Sequence, residues 1–161
     1  MLYDDCKDFE TFLSVVAPDA QVHEDGFTCE LARHKGGVHA IAHAQKKPWG
    51  GEVWHIFGDR IAMKTLLVLP KQRLSYQTHA KKEEAWIFQT AGWAIVNDEE
   101  IYFRPGAVVH IAPGVKHRIF SKEETVIVVE ASTEELMDVF RHDDDYGRYS
   151  KDEDYDYKEQ S

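Results

Sequence analysis

The length, composition and charge of the chain exclude several classes of protein. Its 161 residues, 43% of them hydrophobic, suffice for one domain with a buried core, and we expect no second catalytic domain. The formal net charge of -10 argues against a duplex-binding surface, because phosphate recognition depends on clustered lysine and arginine. Nucleic acid is therefore not expected as a partner.

The two ends of the chain carry different signals. The acidic start, from Met1 to Asp5, leads into no long apolar run, so we expect neither a signal peptide nor a membrane span, and we expect a cytoplasmic location. Residues 143–161 contain eight acidic residues against three basic ones, and residues 149–161 are expected to form an acidic, disordered tail. Cys6 and Cys29 form no paired-cysteine motif, so free thiols are expected.

A short amphipathic helix is predicted near the N-terminus. Four apolar side chains recur at the spacing of one helix face, and Pro18 ends the pattern. We expect this helix to dock on the rest of its own chain or on a partner subunit. The four residues are Phe9, Phe12, Leu13 and Val16.

The segment that follows the helix is harder to assign. Gly36 and Gly37 predict a turn between two short segments, 27–32 and 38–42, each of which can be strand or loop. Residues 1–46 are therefore interpreted as an N-terminal extension that contains the helix and short strands or loop.

From residue 61 onward, short β-type runs alternate with turn signals at intervals of roughly 8 to 12 residues. This spacing predicts an all-β sandwich or barrel rather than alternating strands and helices. The eight predicted strands match the number in a jelly roll. They span residues 61–69, 74–79, 84–89, 93–96, 100–103, 107–111, 116–120 and 125–131.

A second short helix is predicted after the last of these strands. Thr133 is its candidate N-cap, two glutamates follow in the first turn, and Leu136, Val139 and Phe140 can pack. The sequence thus predicts a β-barrel flanked by short N- and C-terminal helices.

Four side chains in the strand-rich region have the composition of a metal site. Gln77 and His79 are two residues apart on a predicted strand, so both point to one face, which we interpret as the interior. Glu84 begins the next strand, Trp86 continues along its face, and His117 opens a later strand. An amide oxygen, a carboxylate and two imidazoles suit Zn, Fe, Mn, Ni or Co. Periodicity alone also allows the histidines and Glu84 to be surface residues.

The same region resembles a known family. The stretches KPWG at 47–50, LSYQTH at 74–79, EEAW at 83–86, GVKHR at 114–118 and DYGR at 145–148 look like the cupin domain of type II mannose-6-phosphate isomerases. The resemblance implies a cupin jelly roll over residues 47–148 and aldose–ketose isomerisation of a sugar phosphate. It also implies one divalent metal ion held by Gln77, His79, Glu84 and His117.

The chain departs from the family pattern beside the glutamate ligand. Lys82 and Ala85 stand where the family has an arginine and a histidine, so the substrate side of the site can differ. Residues 1–46 lie outside the resemblance.

An isomerase of this kind needs a base and cations for the phosphate. Glu130, which follows an apolar run, is a candidate base because burial raises a carboxyl pKa, and His110 is a second candidate. A structural ion pair is the alternative role for Glu130, and a surface pair with the acids at 143–145 is the alternative for Arg148. The predicted catalytic set is Glu130, Lys64 and Arg148, and the predicted substrate-binding set is Lys82, Arg118 and Trp86.

Two other functions fit the same ligands. A non-haem iron dioxygenase also uses two histidines and a carboxylate. The loss of the family's histidine, where this chain has Ala85, would suit a sugar-binding cupin that is not catalytic. His34, His39 and His43 are a further candidate metal cluster, although they lack a pattern of acidic partners.

A homodimer is also expected, because uncovered sheet edges favour pairing. The N-terminal segment is the candidate interface.

Overall fold

The structure is a computed structural model that describes residues 2–23, 37, 41–135 and 138–148. These residues form one helix and twelve strands. No helix in the described ranges is long and apolar enough to cross a membrane. The elements are α1 (Phe9–Val16), β1 (Gln21–His23), β2 (His43–Lys47), β3 (Gly50–Phe57), β4 (Ile61–Val68), β5 (Tyr76–Thr78), β6 (Glu84–Phe88), β7 (Gly92–Val96), β8 (Glu99–Phe103), β9 (Val108–Ile111), β10 (His117–Phe120), β11 (Val126–Thr133) and β12 (Phe140–Asp143).

The strands form two sheets. The seven-stranded sheet has the order β1-β2-β3-β4-β11-β6-β9, and the five-stranded sheet has the order β12-β5-β10-β7-β8. Within the described chain, β1 and β2 pair in parallel, and the other strand pairs are antiparallel. After β4, consecutive strands alternate between the sheets except at the β7–β8 hairpin, and this connectivity is that of a jelly roll. The predicted all-β jelly roll is therefore confirmed.

The eight strands predicted from the sequence correspond to β4 through β11, and each end agrees within two residues. The predicted turn between β7 and β8 is a two-residue hairpin in which Asn97 and Asp98 have φ angles of 49° and 68°. Asn and Asp tolerate this left-handed conformation, which matches the twist of the strands that flank such a turn. Alternation and turn chemistry together were sufficient to locate these strands.

Strand β3 was not predicted, because it begins with two glycines and glycine is depleted in strands. The structure shows why glycine is needed. A Cβ on Gly50 would lie 2.0 Å from the carbonyl oxygen of Leu67, and a Cβ on Gly51 would lie 2.3 Å from the ring of Phe9. The missing side chains let β4 and α1 approach β3 closely.

The predicted C-terminal helix is wrong. Thr133 is not a helix cap but the last residue of β11, where it pairs with Ile61, and Phe140 begins β12, where it pairs with Thr78. Pairing with neighbouring strands satisfies the backbone of both segments and overrides the local helix signals. Residues 136 and 137, between them, lie outside the described ranges.

Several other expectations fall on residues that the structure does not describe. These are the segment 27–32, most of 38–42, Cys29 and the tail 149–161. Strands β1 and β2, from the predicted N-terminal extension, join the larger sheet. The division of the chain at residues 46 and 148 stays a prediction.

The helix α1 confirms the predicted amphipathic pattern. Asp8 caps it, accepting a hydrogen bond of 2.7 Å from the backbone N–H of Thr11. Its buried face packs on the outer face of the larger sheet, in one apolar cluster with residues from β3, β4 and β11. A second cluster fills the space between the sheets and includes Trp86, Phe88 and Ile119.

Candidate metal centre

A cavity of about 230 Å³ lies between the two sheets, and charged side chains make up much of its lining. Alternate residues of a strand point to the same face, so β4 and β11 each direct one ionisable group inward from a mostly apolar strand. These are Lys64 and Glu130, which are register partners. Glu52, Lys82 and Glu84 also line the cavity. The larger sheet and the loop before β6 therefore contribute ammonium and carboxylate groups in alternation.

His79 and His117 both place Nδ1 against a backbone carbonyl and turn Nε2 toward Glu84. The Nδ1 atom of His79 lies 2.5 Å from the backbone carbonyl oxygen of Asp138, and that of His117 lies 2.8 Å from the carbonyl oxygen of Val115. A carbonyl only accepts, so each Nδ1 carries the proton and each Nε2 presents a lone pair. Both Nε2 atoms are buried, and neither makes a hydrogen bond with a described residue.

Glu84 faces both lone pairs. Its Oε1 lies 2.9 Å from Nε2 of His79, outside hydrogen-bond geometry, and its Oε2 lies 3.6 Å from Nε2 of His117. The carboxylate also accepts hydrogen bonds from Nζ of Lys82 at 2.5 Å and from the indole of Trp86 at 2.9 Å. Burial opposes ionisation, but the positive charge of Lys82 outweighs it and holds the pKa of Glu84 well below its usual value.

This arrangement fits a divalent cation. The donor atoms of His79, Glu84 and His117 all lie within 4.8 Å of one another. Burial lowers the pKa of His117 to about 4, so its imidazole is neutral near pH 7 and able to donate a lone pair. A buried polar atom without a partner costs roughly 1–3 kcal/mol, and a cation among these atoms would satisfy both Nε2 lone pairs. The mixed nitrogen and oxygen set suits a first-row transition metal.

Gln77, the fourth predicted ligand, lies on the same wall. It pairs in register with His117, so their side chains share one face of the smaller sheet, and both line the cavity. Its amide oxygen accepts a hydrogen bond of 2.9 Å from the hydroxyl of Ser75. The structure thus brings His79, Glu84 and His117 together and places Gln77 beside them.

A family model matches most of the chain. The model described as mannose-6-phosphate isomerase C-terminal matches residues 32–151. The chain belongs to this family. The family match agrees with the resemblance carried by the stretches around the candidate ligands.

Solved structures similar to this chain include three proteins of low sequence identity. The capsular polysaccharide assembling protein CapF of Staphylococcus aureus is 18% identical with a TM-score of 0.56, and the match covers 64% of this chain and 34% of that chain. A candidate sugar phosphate isomerase of Acidithiobacillus ferrooxidans is 18% identical with a TM-score of 0.43, and the match covers 46% of this chain and 50% of that chain. A cupin-2 domain protein of Rhodospirillum rubrum is 15% identical with a TM-score of 0.49, and the match covers 53% of this chain and 60% of that chain.

The chain therefore spans between about a third and three fifths of the length of these three proteins. Comparison with curated proteins found no match.

In this cupin of the mannose-6-phosphate isomerase family, the predicted catalytic residues all line the cavity. Nζ of Lys64 lies 3.4 Å from Oε2 of Glu130, and Nζ of Lys82 lies 3.3 Å from Oε1 of the same carboxylate. Arg148 makes three hydrogen bonds to the buried carboxylate of Asp144, two of them from its guanidinium. Glu130 and Arg148 therefore both line the cavity, and each also takes part in an ion pair.

The predicted substrate-binding residues are deeply buried. Lys82, Arg118 and Trp86 line the cavity, and each is 5% exposed or less. The guanidinium of Arg118 bonds to the carbonyl of Leu74 and to the carboxylate of Asp143. These contacts hold the side chains in place. The three residues therefore contribute to the cavity mainly through their fixed charge and shape.

Sequence reasoning missed three charged residues of the cavity lining, Lys47, Glu52 and Arg141. Glu52 is 5% exposed and lies 3.4 Å from both Lys47 and Lys64. The alternation of Glu52 with Trp54 is a signal that could have located β3 and its inward face. Arg141 lies in β12, directly after the residues named for the predicted helix, where no local pattern indicated an inward side chain.

Together these residues form a row of alternating charges along the larger sheet, with each neighbouring pair 2.5 to 3.4 Å apart. We call it the charge row. Its members in order are Glu84, Lys82, Glu130, Lys64, Glu52 and Lys47.

The remaining histidine candidates lie elsewhere. His110 is an exposed residue of β9 that pairs with Glu83 at 2.5 Å, outside the cavity lining, and we do not retain it as a base. His43 is hydrogen-bonded to His23 at 2.7 Å. His34 and His39 lie outside the described residues.

Proposed function

We propose that this chain is a metal-dependent cupin that acts on a sugar phosphate, with aldose–ketose isomerisation of the mannose-6-phosphate isomerase type as its reaction. One observation carries the proposal. Two buried imidazoles present unbonded lone pairs to a carboxylate, in a cavity that also contains a second buried carboxylate and several fixed cations. Family membership supports the choice of reaction.

In this proposal one divalent ion is held by His79, Glu84 and His117, with the amide oxygen of Gln77 as the fourth protein ligand. The donor set is compatible with Zn, Fe, Mn, Ni or Co. Such an ion supplies Lewis acidity, which polarises the carbonyl and hydroxyl oxygens at C1 and C2 of the sugar.

Glu130 is the proposed base. Burial, followed by the negative charge of Glu84, raises the pKa of its carboxyl, which brings it closer to a useful range for proton transfer near neutral pH. Its carboxylate takes the proton from C2 of the aldose and returns it to C1. The hydroxyl proton moves in the same sense, from O2 to O1, so the isomerisation needs no further reactant.

Lys64 and Lys82 keep Glu130 in position and stabilise negative charge beside it. Burial alone would lower the pKa of Lys64, but Glu130 and Glu52 outweigh it and raise the pKa above its usual value. The same balance, with Glu130 and Glu84 as the partners, raises the pKa of Lys82. Both side chains are therefore ammonium groups at neutral pH, able to stabilise an oxyanion that develops on the substrate.

Arg148 is the proposed phosphate ligand. It lines the cavity, its side chain is 31% exposed, and Asp144 fixes its orientation through bonds to Nε and an Nη atom. A guanidinium held in this way presents its remaining N–H groups in a fixed geometry suited to phosphate oxygens. Arg118 and Arg141 add positive charge to the lining.

The direct experiment is incubation with mannose 6-phosphate and a panel of divalent metals, followed by detection of fructose 6-phosphate. The Arg148→Gln variant should raise the KM by about tenfold or more, because a charged hydrogen bond to phosphate contributes about 1.5–3 kcal/mol. Exposed Arg104 lies outside the cavity lining, so Arg104→Gln is the matched control. Absence of turnover with every metal would remove the isomerase proposal.

The two alternative functions give different results in the same preparations. Oxygen uptake by the iron-loaded protein would favour a dioxygenase. That function would give the charge row no role. Calorimetric binding of the sugar phosphate without turnover would favour a sugar-binding cupin.

A homodimer is also part of the proposal. Helix α1 covers one part of the outer face of the larger sheet, but another part exposes Ile56, Met63, Ile87 and Val108, which share that face by register. Exposed apolar patches of this kind are often contact surfaces. Light scattering at micromolar concentration distinguishes a dimer from a monomer.

A further inference from the structure

Asp138 connects the C-terminal segment to the loop that precedes the glutamate of the candidate metal centre. This loop, residues 79–83, runs from His79 to the start of β6. The Asp138 carboxylate accepts hydrogen bonds from three consecutive backbone N–H groups of the loop. They come from Ala80 at 3.0 Å, Lys81 at 2.6 Å and Lys82 at 2.9 Å.

The backbone of the same residue contacts the histidine ring. The carbonyl oxygen of Asp138 lies 2.5 Å from Nδ1 of His79. One residue therefore binds the loop with its side chain and orients the imidazole with its main chain. If the side chain released the loop, the carbonyl would no longer be held against the ring.

A different contact positions the backbone of His79. Its carbonyl oxygen accepts a hydrogen bond of 2.8 Å from the N–H of Gly114, in the turn that leads to His117. The position of the main chain and the orientation of the ring are thus controlled from opposite sides. Loss of the Asp138 contacts should leave the strand in place and free the ring.

We propose that Asp138 is a positioning residue for the metal centre, which keeps the His79 imidazole protonated at Nδ1 with the Nε2 lone pair directed at Glu84. Hydrogen bonds from the far nitrogen of a ligating histidine fix its tautomer and orientation, and their loss typically costs about 10–100-fold in metal affinity. The consequence for metal affinity rests on the proposed function. The consequence for the tautomer does not.

The first test uses the metal-free protein and the substitution Asp138→Ala. Long-range ¹H–¹⁵N NMR spectra report the tautomer of each imidazole. We expect His79 to change from the Nδ1–H form to a mixture of tautomers, while His117, which bonds to Val115, keeps its form. An unchanged His79, or simultaneous loss of order at both rings, would overturn the proposal.

Two further variants make the test specific. Asp138→Asn keeps acceptor capacity at one side-chain oxygen and should restore most of the His79 tautomer. Asp145→Ala is the matched control, because Asp145 binds Arg73 with two bonds of 2.6 Å and so fastens the same segment elsewhere. A tautomer change at His79 in Asp145→Ala would count against a role particular to Asp138.

The second test measures metal affinity by competition with a chromogenic chelator. Asp138→Ala should weaken Zn²⁺ or Co²⁺ binding by about 10–100-fold, and Asp145→Ala should leave it within about twofold. Failure of the wild-type protein to bind either ion would overturn the proposed function, while the NMR result still decides the role of Asp138. Wild-type affinity in Asp138→Ala would overturn that role.

Discussion

The ammonium of Lys82 lies 2.5 Å from Oε1 of Glu84, the carboxylate that faces both imidazoles of the candidate metal centre. A divalent ion bound to Glu84 would therefore lie close to a fixed positive charge. At an effective dielectric constant of about 20, repulsion between such neighbours amounts to several kcal/mol. Lys82 and the ion thus compete for the same oxygen.

We expect the substitution Lys82→Met to tighten binding of Zn²⁺ or Co²⁺ by about tenfold or more, which corresponds to roughly 1.4 kcal/mol. Competition with a chelator measures the change. Lys122→Met is a suitable control, because Lys122 pairs with exposed Glu100 away from the cavity. Equal or weaker binding in Lys82→Met would show that the ammonium does not oppose the ion.

Removal of either histidine should abolish tight metal binding. Each of His79→Ala and His117→Ala deletes one of the three donors and leaves Glu84 facing a single imidazole, so we expect affinity to fall at least about 100-fold. Elemental analysis of purified protein and chelator competition measure the loss. Exposed His110→Ala should retain the metal content of the wild type. Full metal content in both buried variants would place the ion elsewhere.

The pair of Asp144 and Arg148 should make stability depend on pH in the acid range. Burial raises the pKa of the Asp144 carboxyl, but the hydrogen bonds and charge of Arg148 outweigh it and lower the pKa below its usual value. Because the pKa is lower in the folded state, the stabilisation is complete at a pH above the pKa of about 3.9 that the carboxyl has in the unfolded chain. The stabilisation is lost as the pH falls through the pKa of the folded state.

We therefore expect Asp144→Asn to lower the free energy of unfolding by about 1–3 kcal/mol at neutral pH, with a difference that shrinks below about pH 4. Urea unfolding at a series of pH values measures it. Glu123→Gln removes an exposed ion pair with Lys71 and should change stability by less than about 1 kcal/mol. A difference independent of pH would contradict the assignment to this carboxylate.

The contact between Gly51 and Phe9 should control how α1 docks. A Cβ at residue 51 would lie 2.3 Å from the Phe9 ring, so Gly51→Ala should destabilise the protein by about 1–3 kcal/mol through overpacking. In a Phe9→Ala background the same substitution should cost much less, because its clash partner is gone. Urea unfolding of the four proteins of this cycle gives the coupling energy. Strict additivity would show that α1 does not rest on Gly51.

Much of the architecture was predictable from local patterns. Strands β4 to β11 combine alternating apolar residues with turn residues such as Asn97 and Asp98, and this pattern depends only on neighbours in sequence. The pattern failed at β3, where Gly50 and Gly51 are chosen for contacts with other elements. It also failed after Thr133, where pairing with distant strands outweighed a local helix signal.

The sequence by itself determined the chemical types at the candidate site, because Gln77, His79, Glu84 and His117 stand in recognisable short motifs at strand ends. Only the tertiary structure decided which groups surround them. Asp138 contacts His79 across 59 residues of chain, and the charge row joins side chains from β2, β3, β4 and β11. Periodicity records which face of a strand is buried, whereas the partner met on that face depends on how distant strands pair.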